Sequence, residues 1–298
     1  MMPDLYKMAG QLLPSVIHVA ARAVGGHALS IFGDHSDVMA CRQTGYAMFA
    51  SSSVQETTDL AAVAHLAAIK GRVPFLHFFD GFRTSHEIQK IEVQAYEDLA
   101  KLLDQDALKA FRDRSLSPNH PTLRGTAQNP DVFFQTKEAA NRYHDAVPEI
   151  VEGYMEKMNQ LTGRDYRLFN YHGAVDAERV IICMGSVYET ACETADYLNR
   201  SGEKVGVLNV HLYRPFSIGH FLKALPETVK RIAVLDRTKE AGSIGEPLFL
   251  DVVAAFNNRL ERPMVIGGRY GLGSKDTTPE QIFAVFKNLK QEQPQHPF

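Results

Sequence analysis

The sequence predicts an α/β protein made of two units, each built around a mainly parallel sheet. Short β-branched or aromatic runs alternate along the chain with longer stretches of helical periodicity. The run 73–79 is apolar at almost every position, as in a strand that helices cover on both faces. The alternation stops near residue 86 and restarts after residue 165, so we place one domain at 1–165 and a second at 166–298.

The first unit is expected to contain one βαβ arrangement preceded by a helix and a strand. Its predicted elements are a helix at 5–13, strands at 15–21, 48–52 and 74–79, and a helix at 55–70 between the last two strands. Residues 86–161 are predicted to be mostly helical, with a loop rich in Pro, Asn, Thr and Gly at 115–130. Three strands are few for an open doubly wound sheet, so we expect this domain to be incomplete.

The second unit repeats the alternation. Its predicted strands are 179–184, 204–210, 231–235 and 263–266, and its predicted helices are 188–200, 247–256 and one opening at 278–280. Proline stands in the first turn of the last two helices, where its missing N–H does no harm.

Composition excludes several classes of function. The formal net charge of −3 offers no basic excess for nucleic acid. Three cysteines without a CxxC pair argue against a disulfide framework and against an iron–sulfur cluster held by this chain, and they fit a reducing cytoplasm. No signal-peptide pattern opens the chain, and no apolar run approaches the ~20 residues that a membrane span needs. A soluble protein acting on small molecules is the expectation.

Several sequence segments together resemble one family, the pyruvate:ferredoxin (flavodoxin) oxidoreductases. In the first unit these are YKMAGQLLP (6–14), HVAARA (18–23), SIFGDHSDVMA (30–40), CRQTG (41–45), SSSVQE (51–56) and FFDGFRTSHE (78–87). In the second they are YHGAVDAERV (171–180), MGSVYET (184–190), LYRPF (212–216), LDRTKEAGSIGEPL (235–248) and GGRYGLGSK (267–275). The resemblance covers essentially the whole chain.

The resemblance implies a part of an enzyme that oxidatively decarboxylates pyruvate and forms acetyl-coenzyme A. It implies thiamine diphosphate with Mg²⁺, shared with parts outside this chain, and [4Fe–4S] clusters that lie only in those parts. Electrons would pass to ferredoxin or flavodoxin, and the parent enzyme would be a homodimer. The implied fold is an incomplete thiamine-diphosphate pyrimidine-binding domain followed by a transketolase carboxy-terminal-like domain.

The resemblance also assigns site residues. The glutamate that activates the cofactor in the family is absent here, so no catalytic residue is expected in this chain. Arg42 is the match to the arginine that binds the substrate carboxylate, a role that suits a planar guanidinium. The plain alternative is a structural ion pair of Arg42 with Asp34 or Asp37. Possible supporting residues follow Arg42 directly or follow the predicted strands: Gln43, Thr44, Glu56, Asp80 and Arg83.

Other readings of these segments stay open. Ser53 and Glu56 have the spacing of a helix capping box, which accounts for them without a site role. A metal site at Asp34, His35 and Asp37 is not expected, because their spacing matches no known ligand pattern. The alternative function is a non-catalytic assembly module or a truncated gene product. A free-standing 2-oxoacid- or nucleotide-binding protein would instead show affinity for its ligand in the isolated chain.

Overall fold

The computed structural model describes residues 2–298 and arranges them as two sheets flanked by helices. The strands are β1 (Val16–Ala21), β2 (Ala47–Ala50), β3 (Phe75–Asp80), β4 (Phe169–Gly173), β5 (Arg179–Cys183), β6 (Val205–Val210), β7 (Leu212–Arg214), β8 (Arg231–Asp236) and β9 (Met264–Arg269). The α-helices are α1 (Met2–Gly10), α2 (Ser36–Ala40), α3 (Val54–Gly71), α4 (Tyr96–Leu102), α5 (Gln105–Asp113), α6 (Pro130–Ala139), α7 (Asn141–Asp145), α8 (Val147–Thr162), α9 (Val187–Arg200), α10 (Ile218–Ala224), α11 (Pro247–Ala255) and α12 (Pro279–Lys290).

The first sheet has the strand order β1-β3-β2-β7. Its first three strands are parallel, with α3 connecting β2 to β3 as the sequence predicts. Helix α3 begins where the Ser53 side chain accepts a hydrogen bond from the Glu56 amide, and it ends at Arg72 in the left-handed conformation. Every residue of β2 is buried, which explains its apolar composition.

The second sheet has the order β4-β6-β5-β8-β9, and only β4 runs antiparallel to its neighbour. Both faces of β5 are covered. Ile181 and Cys183 share one hydrophobic core with residues of α9 and α12, whereas Val180 and Ile182 belong to the core that contains residues of α10 and α11. This arrangement explains the unbroken apolar run at 180–183.

Strand β7 connects the two sheets. Only His211 separates it from β6 of the second sheet, yet β7 pairs antiparallel with β2 of the first, with Phe49 opposite Leu212. The larger hydrophobic core accordingly contains buried residues from both segments of the chain. The two units therefore share sheet hydrogen bonds and a core, although their sequences are consecutive.

The expected α/β class is confirmed, and all the predicted strands and helices are present within a few residues. The sequence did not indicate β4, β7, α2 or α10. The first sheet consequently has a fourth strand, where three were expected. Across residues 2–298, no helix is both long and apolar enough to cross a membrane.

Candidate functional site

The carboxyl-terminal edges of the two sheets meet, and the candidate site lies where they do. Asp80 ends β3, Ser186 follows β5 and Arg237 follows β8, and Asp80 contacts both of the others. A cleft of about 390 Å³ opens beside them, with Ser52, Arg83, Ser186, Arg237 and Lys275 among its lining residues. This is the edge at which parallel α/β sheets bind ligands.

Asp80 is the centre of a buried polar network between the units. Its carboxylate accepts hydrogen bonds from Ser186, 2.9 Å from the amide and 2.5 Å from Oγ, and lies 2.8 Å from Nη1 of Arg237. Nε2 of His35 lies 2.5 Å from the other carboxylate oxygen. Complete burial opposes ionisation of Asp80, but His35 and Arg237 hold its pKa well below the usual range. Asp80 therefore joins the units as a charged group.

Gly185 makes this contact possible. Its φ is +80°, and a Cβ atom at this position would lie 2.9 Å from Oδ1 of Asp80. A side chain would meet both backbone strain and the carboxylate. The backbone conformation of Gly185 thus lets the amide and hydroxyl of Ser186 donate hydrogen bonds to the Asp80 carboxylate.

Arg42 lies in a turn just after α2, apart from the Asp80 network. Its Nη1 donates to the carbonyl of Met39 at 2.9 Å, and its Nη2 donates to Oε2 of Glu240 at 2.6 Å. The side chain of Arg42 is 29% exposed and that of Glu240 is 38% exposed. The structural ion pair considered as the alternative for Arg42 is therefore present, but its partner is Glu240 of the second unit rather than Asp34 or Asp37.

The residues after Arg42 shape its turn. Gln43 is exposed, whereas Thr44 is buried and its hydroxyl donates to the carbonyl of Cys41 at 2.8 Å. Gly45 has φ of +90°, a conformation that a side chain would oppose. Burial raises the pKa of the Cys41 thiol, which makes it a poorer nucleophile.

Glu56 belongs to a second polar cluster, at the end of β2. Its carboxylate accepts from the amide of Ser52 at 2.6 Å and lies 3.3 Å from Nε2 of the buried His211. Asn209 donates to the hydroxyl of Ser52 at 2.7 Å. Half of the expected capping box is present, because Ser53 caps the Glu56 amide, but the carboxylate is directed to Ser52 rather than Ser53.

The Glu56–His211 pair is expected to make stability depend on pH. Burial opposes both charges, yet the pair lowers the pKa of Glu56 and raises the pKa of His211. The glutamate contribution is present above its unfolded pKa and is lost as pH falls. The histidine contribution is present below its unfolded pKa and is lost as pH rises, so both are complete between about pH 4.5 and 6.5.

We therefore expect His211→Gln to lower the free energy of unfolding more at pH 5.5 than at pH 8.5, by on the order of 1 kcal/mol. Urea unfolding at the two pH values measures this difference. His27→Gln, which alters an exposed histidine, is the matched control and should show no such difference. Equal losses at both pH values for His211→Gln would contradict the pairing.

Arg83 lines the cleft and reaches the second unit. Its Nη2 contacts the carboxylate of Asp276 and lies 3.3 Å from the carbonyl of Ser274. The side chain of Arg83 remains 43% exposed. Nearby, His86 stacks on the ring of Phe82 and is hydrogen-bonded to Ser85.

A row of histidines crosses the first sheet towards the end of β2. Nε2 of His65 lies 3.1 Å from Nε2 of His18, and Nδ1 of His18 lies 2.8 Å from Nδ1 of His77. His77 in turn lies 2.7 Å from Oγ of Ser51. Burial first, and then the neighbouring histidines, lower the pKa of His77 to about 3, so it is neutral at physiological pH. Among residues 2–298, no group of three His, Cys, Asp or Glu side chains is arranged to hold a metal ion.

The structure thus divides the expected site residues into three groups. Arg42 and Thr44 form one turn, and Glu56 belongs to the cluster at His211. Arg83 lines the cleft, and Asp80 is buried against the cleft residues Ser186 and Arg237. The sequence analysis missed the partners Arg237, Glu240 and His211. The first two stand in LDRTKEAG (235–242), a segment that carries the family resemblance but had no assigned role.

This geometry defines a class of protein: a two-unit α/β protein in which the carboxyl-terminal edges of two sheets meet at a cleft lined by charged side chains. A sequence model of the pyruvate flavodoxin/ferredoxin oxidoreductase thiamine diphosphate-binding domain matches residues 1–156. A second model, of pyruvate:ferredoxin oxidoreductase core domain II, matches residues 177–282. The chain belongs to the pyruvate flavodoxin/ferredoxin oxidoreductase family.

Individual relatives are similar over the entire chain. Pyruvate-flavodoxin oxidoreductase from Enterobacter agglomerans is 63% identical, and pyruvate:ferredoxin oxidoreductase from Moorella thermoacetica is 62% identical. In both comparisons the match covers 100% of this chain and 25% of the relative, so the chain spans about a quarter of the length of these curated relatives.

A solved structure supports the fold. It is described as 2-oxoglutarate:ferredoxin oxidoreductase from Magnetococcus marinus with 2-oxoglutarate, coenzyme A and succinyl-CoA bound. It superposes with a TM-score of 0.58 over 97% of this chain and 52% of that chain, at 16% identity. Together with the family matches, this confirms the expected α/β fold class, with a first unit that matches the thiamine diphosphate-binding domain model and a second unit that matches the core domain II model.

Proposed function

We propose that this chain acts as part of a pyruvate:ferredoxin or pyruvate:flavodoxin oxidoreductase, and that Arg42 binds the carboxylate of the 2-oxoacid substrate. The observation that carries the proposal is the contact of Arg42 with Glu240: the guanidinium already binds one carboxylate, at 2.6 Å, and remains partly exposed. A planar guanidinium that binds the carboxylate of a 2-oxoacid can fix the orientation of that acid, and so the position of its keto carbon.

In this role, the chain contributes binding and orientation. Thr44 and Gly45 fix the turn that carries Arg42, and Gln43 is exposed beside it. Asp80 holds the two units together, while Arg83 provides positive charge at the cleft. Thiamine diphosphate, when bound, supplies the nucleophilic carbon for the decarboxylation.

The acidic residues at the sheet edge bear on how the cofactor would be held. The carboxylate of Asp80 is already paired with His35, Arg237 and Ser186. That of Glu56 is paired with His211 and the Ser52 amide. Neither offers a free carboxylate to an aminopyrimidine nitrogen. The acid that contacts the cofactor ring is therefore proposed to come from another part of the parent enzyme, as are the Mg²⁺ ligands and the [4Fe–4S] clusters.

The remaining features of the proposal follow the family. Pyruvate and coenzyme A are the substrates, ferredoxin or flavodoxin accepts the electrons, and the parent enzyme is a cytoplasmic homodimer. The domain boundary is proposed near residue 165, just after α8 ends with Gly163 in the left-handed conformation.

A tagged pull-down of the chain from its native cells tests the proposal. We expect a brown preparation in which thiamine diphosphate and iron–sulfur clusters accompany the chain, with polypeptide masses that account for the rest of the oxidoreductase. The same procedure with an untagged chain is the control.

Recovery of the chain alone and colourless would contradict the proposal. The non-catalytic assembly module would then be the better description of this chain. Measurable binding of pyruvate by such an isolated chain would instead indicate a free-standing 2-oxoacid-binding protein.

A further inference from the structure

In this structure, Arg42 binds a carboxylate of the protein itself, that of Glu240. Nη1 of Arg42 donates to the Met39 carbonyl and Nη2 donates to Glu240, at 2.9 Å and 2.6 Å. These terminal nitrogens are donors that a substrate carboxylate would use in a bidentate contact. Glu240 therefore stands where part of the substrate's carboxylate would bind.

The backbone at Glu240 is held firmly. Its amide donates to Oε2 of Glu246 at 2.7 Å, and its carbonyl lies 3.2 Å from Nζ of Lys239 and 3.3 Å from the amide of Ser243. Glu246 is buried and is fixed by Arg269 at 2.9 Å. The segment is thus anchored through its main chain, and the 38% exposed side chain of Glu240 is the part that can rotate.

Two carboxylates on one guanidinium repel each other. Because the backbone of Glu240 is anchored in the same molecule, its carboxylate stays within reach of Arg42 at any concentration of free acid. A free acid must therefore compete with Glu240 for the donors of Arg42.

We propose that Glu240 is an internal competitor for the substrate site, occupying the carboxylate position at Arg42 and rotating away when a 2-oxoacid binds. This inference rests on the proposed function of Arg42. It makes Glu240 a determinant of substrate affinity: a ligand binds only if its own contacts outweigh those of Glu240.

Glu240→Gln in the complete oxidoreductase containing this chain tests the inference. The amide keeps the size of the side chain but loses its charge, so we expect the KM for pyruvate to fall about two- to fivefold with kcat unchanged. The dissociation constant of [1-¹³C]pyruvate for the thiamine-free enzyme, followed by ¹³C NMR, should fall by the same factor. Glu227→Gln, at an exposed glutamate of the second unit, is the matched control and should change neither value.

The Arg42→Ala background separates the two proposals. If Glu240 acts through Arg42, Glu240→Gln should have no further effect on the KM of an enzyme that carries Arg42→Ala. An unchanged or raised KM in the single variant Glu240→Gln would overturn the competitor role, as would an equal decrease in both backgrounds. If Arg42→Ala itself leaves the KM at the value of the unaltered enzyme, the proposed function of Arg42 fails instead.

Discussion

Arg42→Ala is expected to lower kcat/KM for pyruvate-dependent acceptor reduction about 10²- to 10⁴-fold in the assembled oxidoreductase. Each hydrogen bond between charged groups contributes roughly 1.5–3 kcal/mol, and a bidentate carboxylate contact supplies two of them. Every 1.4 kcal/mol corresponds to about a tenfold change. The loss should appear mainly in KM, because the lost contact binds the substrate before and during the reaction.

Two further variants sharpen this measurement. Arg42→Lys keeps the charge but not the planar pair of donors, so its kcat/KM should lie between those of the alanine variant and the unaltered enzyme. Arg259→Ala alters an exposed arginine of the second unit and should leave the kinetics unchanged. The ion pair that Arg42 forms with Glu240 is partly exposed and adds little to stability, so the thermal unfolding midpoints should stay close together. A pyruvate KM that does not respond to Arg42→Ala would remove the substrate role from this residue.

Asp80→Asn is expected to lower the free energy of unfolding by about 3–5 kcal/mol, the range typical of breaking a buried ion pair. The substitution leaves Arg237 buried without a counter-charge and places an amide N–H₂ opposite other donors, including the Ser186 amide. The loss should exceed that of a surface pair because Asp80 is fully buried. Urea unfolding of the chain measures it.

The matched control for this prediction is Asp276→Asn. Asp276 also pairs with an arginine, but its side chain is 78% exposed, so the variant should cost less than about 1 kcal/mol. If Asp80→Asn cost no more than Asp276→Asn, the Asp80–Arg237 contact would not be what stabilises the junction. The two variants differ in burial while sharing the same chemical change.

Much of the fold could be predicted because its strands are short, fully covered apolar runs. Strands β2 and β5 are examples, since nearly every residue in them is buried. Strand β4 was missed because it is a partly exposed edge strand with the mixed sequence FNYHG, which has no clear period. Strand β7 has only three residues, too few for any periodic signal.

The candidate site was predictable only where a local motif marked it. Arg42 follows from a contiguous segment that resembles the family. Its partner Glu240 lies 198 positions further along the chain, and Ser186 lies 106 positions from Asp80. Such pairings depend on how the two sheets are brought together, which no local pattern records. The same reason explains why Glu56 was interpreted as a helix cap while its contact with His211 was missed.

The position of β7 has a consequence for where the gene could be divided. A break near residue 165, at the sequence boundary between the units, would put β2 and its partner β7 on separate polypeptides. A break in the exposed loop at 115–129 would divide the same pair, because β7 follows both positions in the chain. The amino-terminal product of a gene split at either position should therefore expose the edge of β2 until the carboxy-terminal product supplies β7, so the two products should be recovered as a complex.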